Sequence, residues 1–182
     1  MAPLSGTPAS AGGMTASDHA SPLLSELVLR PMTPDDIPAV VAFEQLACAH
    51  PLHAWTLENY RSSLASGYWT RVACRVDGRV VGVCVVMFGV DELHLLNIAV
   101  AHPARGQGVA SLLLDLLVAL ARTHRQEAIW LEVRPSNERA RALYARHHYA
   151  EVGRRKNYYP AVGGREDAVV MKREVALDAA LD

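Results

Sequence analysis

Three groups of residues in this chain have types and spacings that can do chemistry. The first is Arg105-Gly106-Gln107-Gly108-Val109-Ala110, a loop that runs straight into a long apolar helix. Glycines at 106 and 108 let the backbone turn N–H groups outward and approach a ligand closely. A helix N-terminus adds unpaired donors and a partial positive charge, so the combination suits a phosphate. It is neither a Walker A loop nor a dinucleotide fingerprint, because no Gly-Lys-Ser/Thr follows and the GxGxxG spacing fails at Ser111. A flexible strand-to-helix connection would account for the same residues. The second group centres on Glu132 in Ala128–Val133 (AIWLEV), where Ile129, Leu131 and Val133 point one way and Trp130 and Glu132 the other. Burial in so apolar a strand would make the carboxylate a stronger general base; a glutamate that merely reaches solvent is the alternative. The third is Tyr144, on a helix starting at Asn137, whose spacing puts Asn137 and Tyr144 on one face. Its phenol could protonate a leaving group, or could be a core tyrosine with a satisfied hydroxyl.

Composition bounds the partners of such a site. A chain of 182 residues, 51% hydrophobic and 20% charged, is one globular domain that can bury a core without disulfide or metal. A net charge of −1 argues against nucleic acid held on a broad basic surface and leaves a small basic peptide open. Cys48, Cys74 and Cys84 are odd in number and share no metal spacing, which reads as buried thiols in a reducing cytoplasm. The histidines lack a ligand pattern, and His147-His148 at a helix end reads as surface, so no metal is expected. The apolar runs Val80–Val90 and Val109–Ala121 fall short of a membrane span. Residues 1–25, rich in Ala, Ser, Pro, Gly and Thr, lack the basic and apolar regions of a targeting signal and read as a disordered extension. Residues 26–175 make the domain and 176–182 a C-terminal tail.

The elements that must position these residues can be read in order. Glu26–Arg30 alternates as a strand. Thr33 as N-cap with Pro34 at the first helical position opens a helix carrying Ile37, Val40, Val41 and Glu44 on one face. A second helix runs from Thr56 to about Ala65, just after Trp55. Trp69–Val76 and Val80–Phe88 flank an Asp77-Gly78 turn as a hairpin, and Glu92–Val100 is the next strand. The helix after the loop carries Val109, Leu112, Leu113, Leu116, Leu117 and Leu120 as its apolar stripe. After AIWLEV come the helix Glu138–His147 and two strands, Tyr149–Arg154 and Asp167–Arg173, joined by a long loop, KNYYPAVGGRE. The order βααβββαβαββ is α+β with a mixed sheet, in which Asn97–Val100 and AIWLEV could be parallel neighbours bridged by the long helix.

Several strings carry a family resemblance. Arg-x-x-Gly-x-Ala at 105–110 resembles the pyrophosphate loop of the GCN5-related N-acetyltransferases (GNAT), and the element order is similar to that fold from Leu27 to Arg173. LEVRPSNERARALYARHHY and RRKNYYPAVGGREDAVVM resemble segments of the RimI-type ribosomal-protein alanine N-acetyltransferases. The resemblance implies a mixed sheet flanked by helices and acetyl-CoA as co-substrate. It implies Glu132 as base and Tyr144 as acid, with Asn137 and Tyr144 at the cofactor. It implies that LLNIAV splays from its neighbour at a bulge, so that Ile98, Ala99 and Val100 meet the pantetheine arm and the 105–110 loop meets the pyrophosphate. Trp55, Asn97, Tyr158 and Tyr159 would line the peptide site. Three positions depart from the pattern: His148 replaces a helix-ending glycine, Ala110 the second loop glycine, and Ala54 the proline before Trp55.

The implied reaction is direct attack of an amine on the thioester, since no cysteine adjoins a base in sequence. Neutralising an α-amine at pH 7 costs only ~1.4 kcal/mol, against ~4.6 for a lysine, so a modest base suffices for an N-terminus. The implied substrate is the N-terminal alanine of small-subunit ribosomal protein eighteen, a basic peptide, with no nucleic acid or membrane and with the enzyme a monomer or weak dimer. A lysine ε-amine, another N-terminus or a small amine stays open. So does a non-catalytic acyl-CoA sensor, which would not need Glu132 and Tyr144.

Overall fold

The computed structural model describes residues 22–48 and 53–177. Residues 1–21 of the expected extension and 178–182 of the expected tail lie outside that range. Pro22–Ser25, assigned above to the extension, forms a single helical turn, α1, whose Leu23 is buried in the core. The chain continues as β1 (Leu27–Pro31), a 3-10 turn (Pro34–Asp36), α2 (Ile37–Ala47), α3 (Leu57–Ala65), β2 (Trp69–Arg75), β3 (Val80–Phe88) and β4 (Glu92–Val100). It ends with α4 (Val109–Thr123), β5 (Ala128–Val133), α5 (Glu138–Arg146), β6 (Ala150–Ala161) and β7 (Gly164–Glu174). The strands form one mixed α+β sheet in the order β1-β2-β3-β4-β5-β7-β6, with β4–β5 parallel and the other pairs antiparallel.

Local chemistry explains where the elements begin. Thr33 starts the 3-10 turn rather than α2 itself, because the Asp36 carboxylate draws the chain tight there. It accepts the Thr33 N–H at 2.8 Å and hydroxyl at 3.0 Å. Arg30 clasps the same carboxylate with two bonds of 2.7 Å and, as the main cause, lowers its pKa to about 2. Thr56 caps α3 by accepting from the Asn59 N–H at 3.2 Å, and the Asn59 side chain reciprocates.

The core has a part on each face of the sheet. On one face α4 packs with Leu93, Leu95, Ile129, Leu131, Val133 and Tyr144. On the other, α2 and α3 cover Val72, Cys74, Val83 and Val85. The buried stripe of α4 is Val109, Leu113, Leu114, Leu117, Val118 and Ala121, turned relative to expectation, so Leu112, Leu116 and Leu120 are only half-buried. Gly82 lets this helix come close, since a Cβ there would stand 3.1 Å from Val109 Cγ1.

Two expectations need correction, and both concern the site. Asn97–Val100 do not pair with β5. The parallel ladder runs from Glu92↔Ala128 to Leu95↔Leu131 and stops, leaving the rest of β4 to diverge. At that point β4 carries a bulge: Val86 faces Leu95 and Val85 faces Asn97, so Leu96 is the extra residue. The long loop KNYYPAVGGRE is not a loop. β6 and β7 extend through it as one hairpin, turning at Val162 and Gly163. It read as a loop because β6 is irregular between Arg155 and Tyr159, where Asn157 has φ +52° and the ladder is interrupted.

Candidate active site

The phosphate-type loop has the geometry its glycines suggested. Gly106 and Gly108 have φ of +76° and +88°, and Gly108 is the left-handed N-cap of α4. The first helical bond runs from the Leu112 N–H to Gly108 O, so the N–H groups of Val109, Ala110 and Ser111 have no acceptor within the helix. Arg105 and Gln107 brace the loop, with Arg105 Nε donating to Val100 O (3.1 Å) and Gln107 Nε2 to Pro103 O (2.8 Å). Beyond Leu95 the β5-facing edge of β4 at Ile98, Ala99 and Val100 has no strand partner. Open backbone along a split strand, ending at a helix N-terminus, fits an elongated ligand with amide groups and a phosphate end. Among the described residues no group of His, Cys, Asp and Glu could hold a metal ion.

Glu132 is the first β5 residue past the last β4–β5 pair, and its alternation is as expected: Leu131 and Val133 enter the α4 core while Glu132 points to the opposite face. It is not alone there. Arg155 Nε of β6 lies 3.1 Å from its Oε1, with the glutamate side chain 17% exposed and the arginine 57%. Tyr144 is buried in the α4 core, and its hydroxyl has no hydrogen-bond partner among the described residues. Burial pushes its phenol pKa up, which keeps the proton on oxygen at neutral pH. Tyr159 is within electrostatic reach of both Glu132 and Tyr144. Asn137 shares the helix but is exposed, and its side chain accepts from the Ala140 N–H at 3.2 Å as the N-cap of α5. His148 takes the left-handed conformation (φ +63°) in place of the glycine. His147 is not on the surface: its side chain is 15% exposed and its Nε2 sits 3.0 Å from Ser111 Oγ at the start of α4.

The tyrosine pair is held by residues whose part the sequence did not reveal. Tyr158 and Tyr159 meet edge to face at 4.9 Å. The Arg134 guanidinium lies 4.3 Å from the Tyr159 ring centroid and donates to Pro160 O (2.9 Å) and Glu166 Oε2 (3.2 Å). Glu166 Oε1 also accepts the Ser136 N–H at 2.9 Å, which ties the hairpin to the start of α5. Burial would raise the Glu166 pKa, but the Ser136 and Arg134 bonds outweigh it and the net direction is down. Arg165 donates to the carbonyls of Asn157 and Tyr158 at 2.6 Å, and Asp167 accepts the Asn157 N–H at 2.9 Å. Side chains thus satisfy the backbone where the ladder is broken.

A second cluster was also missed. Glu44 is 2% exposed and accepts from the Trp55 N–H (2.9 Å), from Asn97 Nδ2 (3.2 and 3.3 Å) and from the Tyr60 hydroxyl. Burial raises its pKa against the opposing pull of those donors. Trp55 and Asn97, both expected near substrate, are therefore brought together at one buried carboxylate. The available signal was a charged residue on the apolar stripe of Ile37, Val40 and Val41. Cys74 and Cys84 are buried as expected, Cys48 is half-buried, and all three are free thiols.

Residues 37–149 match the Acetyltransferase (GNAT) family. The chain is 33% identical over 142 residues to the [ribosomal protein bS18]-alanine N-acetyltransferase of Escherichia coli K12, covering 78% of this chain and 93% of that protein. It is 42% identical over 96 residues to the enzyme of the same name from Haemophilus influenzae, covering 52% and 65%. The crystal structure of the Escherichia coli ribosomal-protein-S18-alanine N-acetyltransferase superposes with a TM-score of 0.74 at 29% identity, over 86% of this chain and 98% of that one.

Proposed function

The chain belongs to the GNAT acetyltransferase family, and on that premise we propose that it acetylates the N-terminal α-amine of a protein. The substrate we favour is the N-terminal alanine of the small-subunit ribosomal protein named for its relatives. The observation that carries this reading is the parting of β4 from β5 immediately before Glu132, on the face where Tyr159 stands.

Each step can be assigned to residues of this chain. The N–H groups at the start of α4, with the turns at Gly106 and Gly108, hold the pyrophosphate, and the freed edge of Ile98–Val100 pairs with the pantetheine amides. Acetyl-CoA supplies an acetyl group activated as a thioester. Tyr158 and Tyr159 wall the pocket for a small first residue. Glu132, drawn from Arg155 by the incoming ammonium, removes its proton so that the amine attacks. A backbone N–H of the split strand polarises the carbonyl, and Tyr144 gives its proton to the departing sulfur. The reading includes a cytoplasmic reaction, which free thiols and a ribosomal substrate would suit. Among the described residues no helix is long and apolar enough to cross a membrane.

Two basic peptides test it. One begins with free alanine; the other has a blocked N-terminus and an internal lysine. CoA release on the first alone, falling at least about tenfold in both Glu132→Gln and Tyr144→Phe, is the expected result. Turnover on the second alone would refute the α-amine assignment, and full activity in either variant would refute that residue's role.

A further inference from the structure

Asn97 is gripped by its amide nitrogen. Nδ2 donates to both Glu44 oxygens, at 3.2 and 3.3 Å, and to the Tyr60 oxygen at 2.8 Å, while the Tyr60 hydroxyl itself donates to Glu44. The amide cannot be turned over, because its oxygen would then face the carboxylate. Oδ1 therefore points away from the clamp, and among the described residues nothing donates to it. The bulge at Leu96 sets its direction. Leu95 packs on the α4 face, whereas Leu96 packs on the α2–α3 face and Asn97 follows it there. Without the extra residue, Asn97 would share the face of Leu95. Glu132 points to that same second face, across the opening where the β4–β5 ladder ends.

We propose that Asn97 Oδ1 accepts a hydrogen bond from the incoming substrate ammonium opposite Glu132, and that Glu44, acting through Tyr60 and Asn97, is the positioning residue that aims it. The identity of the amine rests on the function proposed above; the clamp does not. An ammonium has more than one N–H, so one can go to Glu132 while a second is held by Oδ1, a bond made on binding and kept through the attack. Glu44 also accepts the Trp55 N–H through Oε1, a bond that a glutamine oxygen keeps, so Glu44→Gln perturbs the Asn97 anchor and leaves Trp55 in place.

A double-mutant cycle of Glu44→Gln and Asn97→Ala in the full chain decides it, read as peptide KM, kcat and acetyl-CoA KM. Glutamine keeps the volume but replaces a carboxylate oxygen by an N–H that competes with Asn97 Nδ2 for the Tyr60 oxygen, so the Asn97 anchor is weakened. The expected result is a rise of about tenfold in peptide KM, with kcat and acetyl-CoA KM changed by less than about twofold. With alanine already at 97, Glu44→Gln should then move peptide KM by less than about twofold. An additive effect, or an equal rise in acetyl-CoA KM, would overturn the proposal and leave Glu44 a support of the fold. If Glu44→Gln does not fold, Tyr60→Phe removes one acceptor of Asn97 and keeps the carboxylate; a rise of about threefold in peptide KM is expected, and no rise overturns the proposal. The cycle is run on whichever amine the wild-type enzyme turns over. Turnover of lysine alone refutes the α-amine reading while the cycle still decides the role of Asn97.

Discussion

Replacing Arg134 by methionine would test whether the latch on the β6–β7 hairpin shapes the peptide site. Arg134 and Glu166 are 11% and 20% exposed, so their 3.2 Å bond is screened far less than a surface pair. A charge-assisted bond in such a position contributes about 1.5–3 kcal/mol, and the guanidinium over the Tyr159 ring adds about 0.5–1. Glu166 keeps the Ser136 N–H when Arg134 is lost, which limits the cost of the stranded carboxylate. A stability loss of about 2 kcal/mol is expected, visible as a fall in Tm of several degrees. The functional effect is separate. Without the stack Tyr159 is no longer fixed, and ordering it on peptide binding costs about 1 kcal/mol, or about fivefold in peptide KM. Kinetics of CoA release should show that rise with kcat and acetyl-CoA KM little changed. Arg134→Lys should not restore the wild-type value, because an ammonium cannot stack on the ring while bonding Pro160 and Glu166 together. A lower Tm with unchanged peptide KM would refute the reasoning and make the latch purely structural. A fall in kcat with KM unmoved would show that Tyr159 acts in the transition state instead.

Further outcomes follow from other positions. Gly108→Ala forces a side chain into φ +88° with its Cβ 3.0 Å from Leu24 Cδ1, so it should cost about 1–2 kcal/mol of stability and raise acetyl-CoA KM more than peptide KM; an isothermal titration with CoA checks this. Asp36 has its pKa lowered to about 2, chiefly by Arg30, so its contribution is full above the unfolded value near 4 and is lost as pH falls through 2. Asp36→Asn should therefore lower stability by about 1–2 kcal/mol at pH 7, with the gap to wild type closing between about pH 4 and 2 in denaturant titrations.

The alternation in AIWLEV was enough to separate Glu132 from Leu131 and Val133, and the contacts of β5 agree. Gly106 and Gly108 were legible for the same reason: a left-handed turn into a helix leaves few residue choices. Glu44 was in view on the apolar face of α2, but its meaning lay in Tyr60 and Asn97, 16 and 53 positions further along the chain and beyond local reach. Asn157-Tyr158-Tyr159 read as loop because the bonds from Arg165 and Asp167 that replace the ladder there are side-chain bonds across a hairpin. The turned stripe of α4 has a similar origin. Periodicity finds an apolar arc, and the sheet beneath chooses which edge of the arc is sealed.

By itself the sequence determined the order of elements, the α+β class, the left-handed glycine turns before α4, and which face of β5 Glu132 takes. Each follows from short-range rules of period, capping and backbone freedom. Only the tertiary structure decided where β4 leaves β5, that one bulged residue turns Asn97 toward Glu44, and that Arg155 and Arg134 reach Glu132 and Tyr159. Those facts depend on strand register and on side chains meeting across the sheet, and a one-residue shift in register reverses every face it touches.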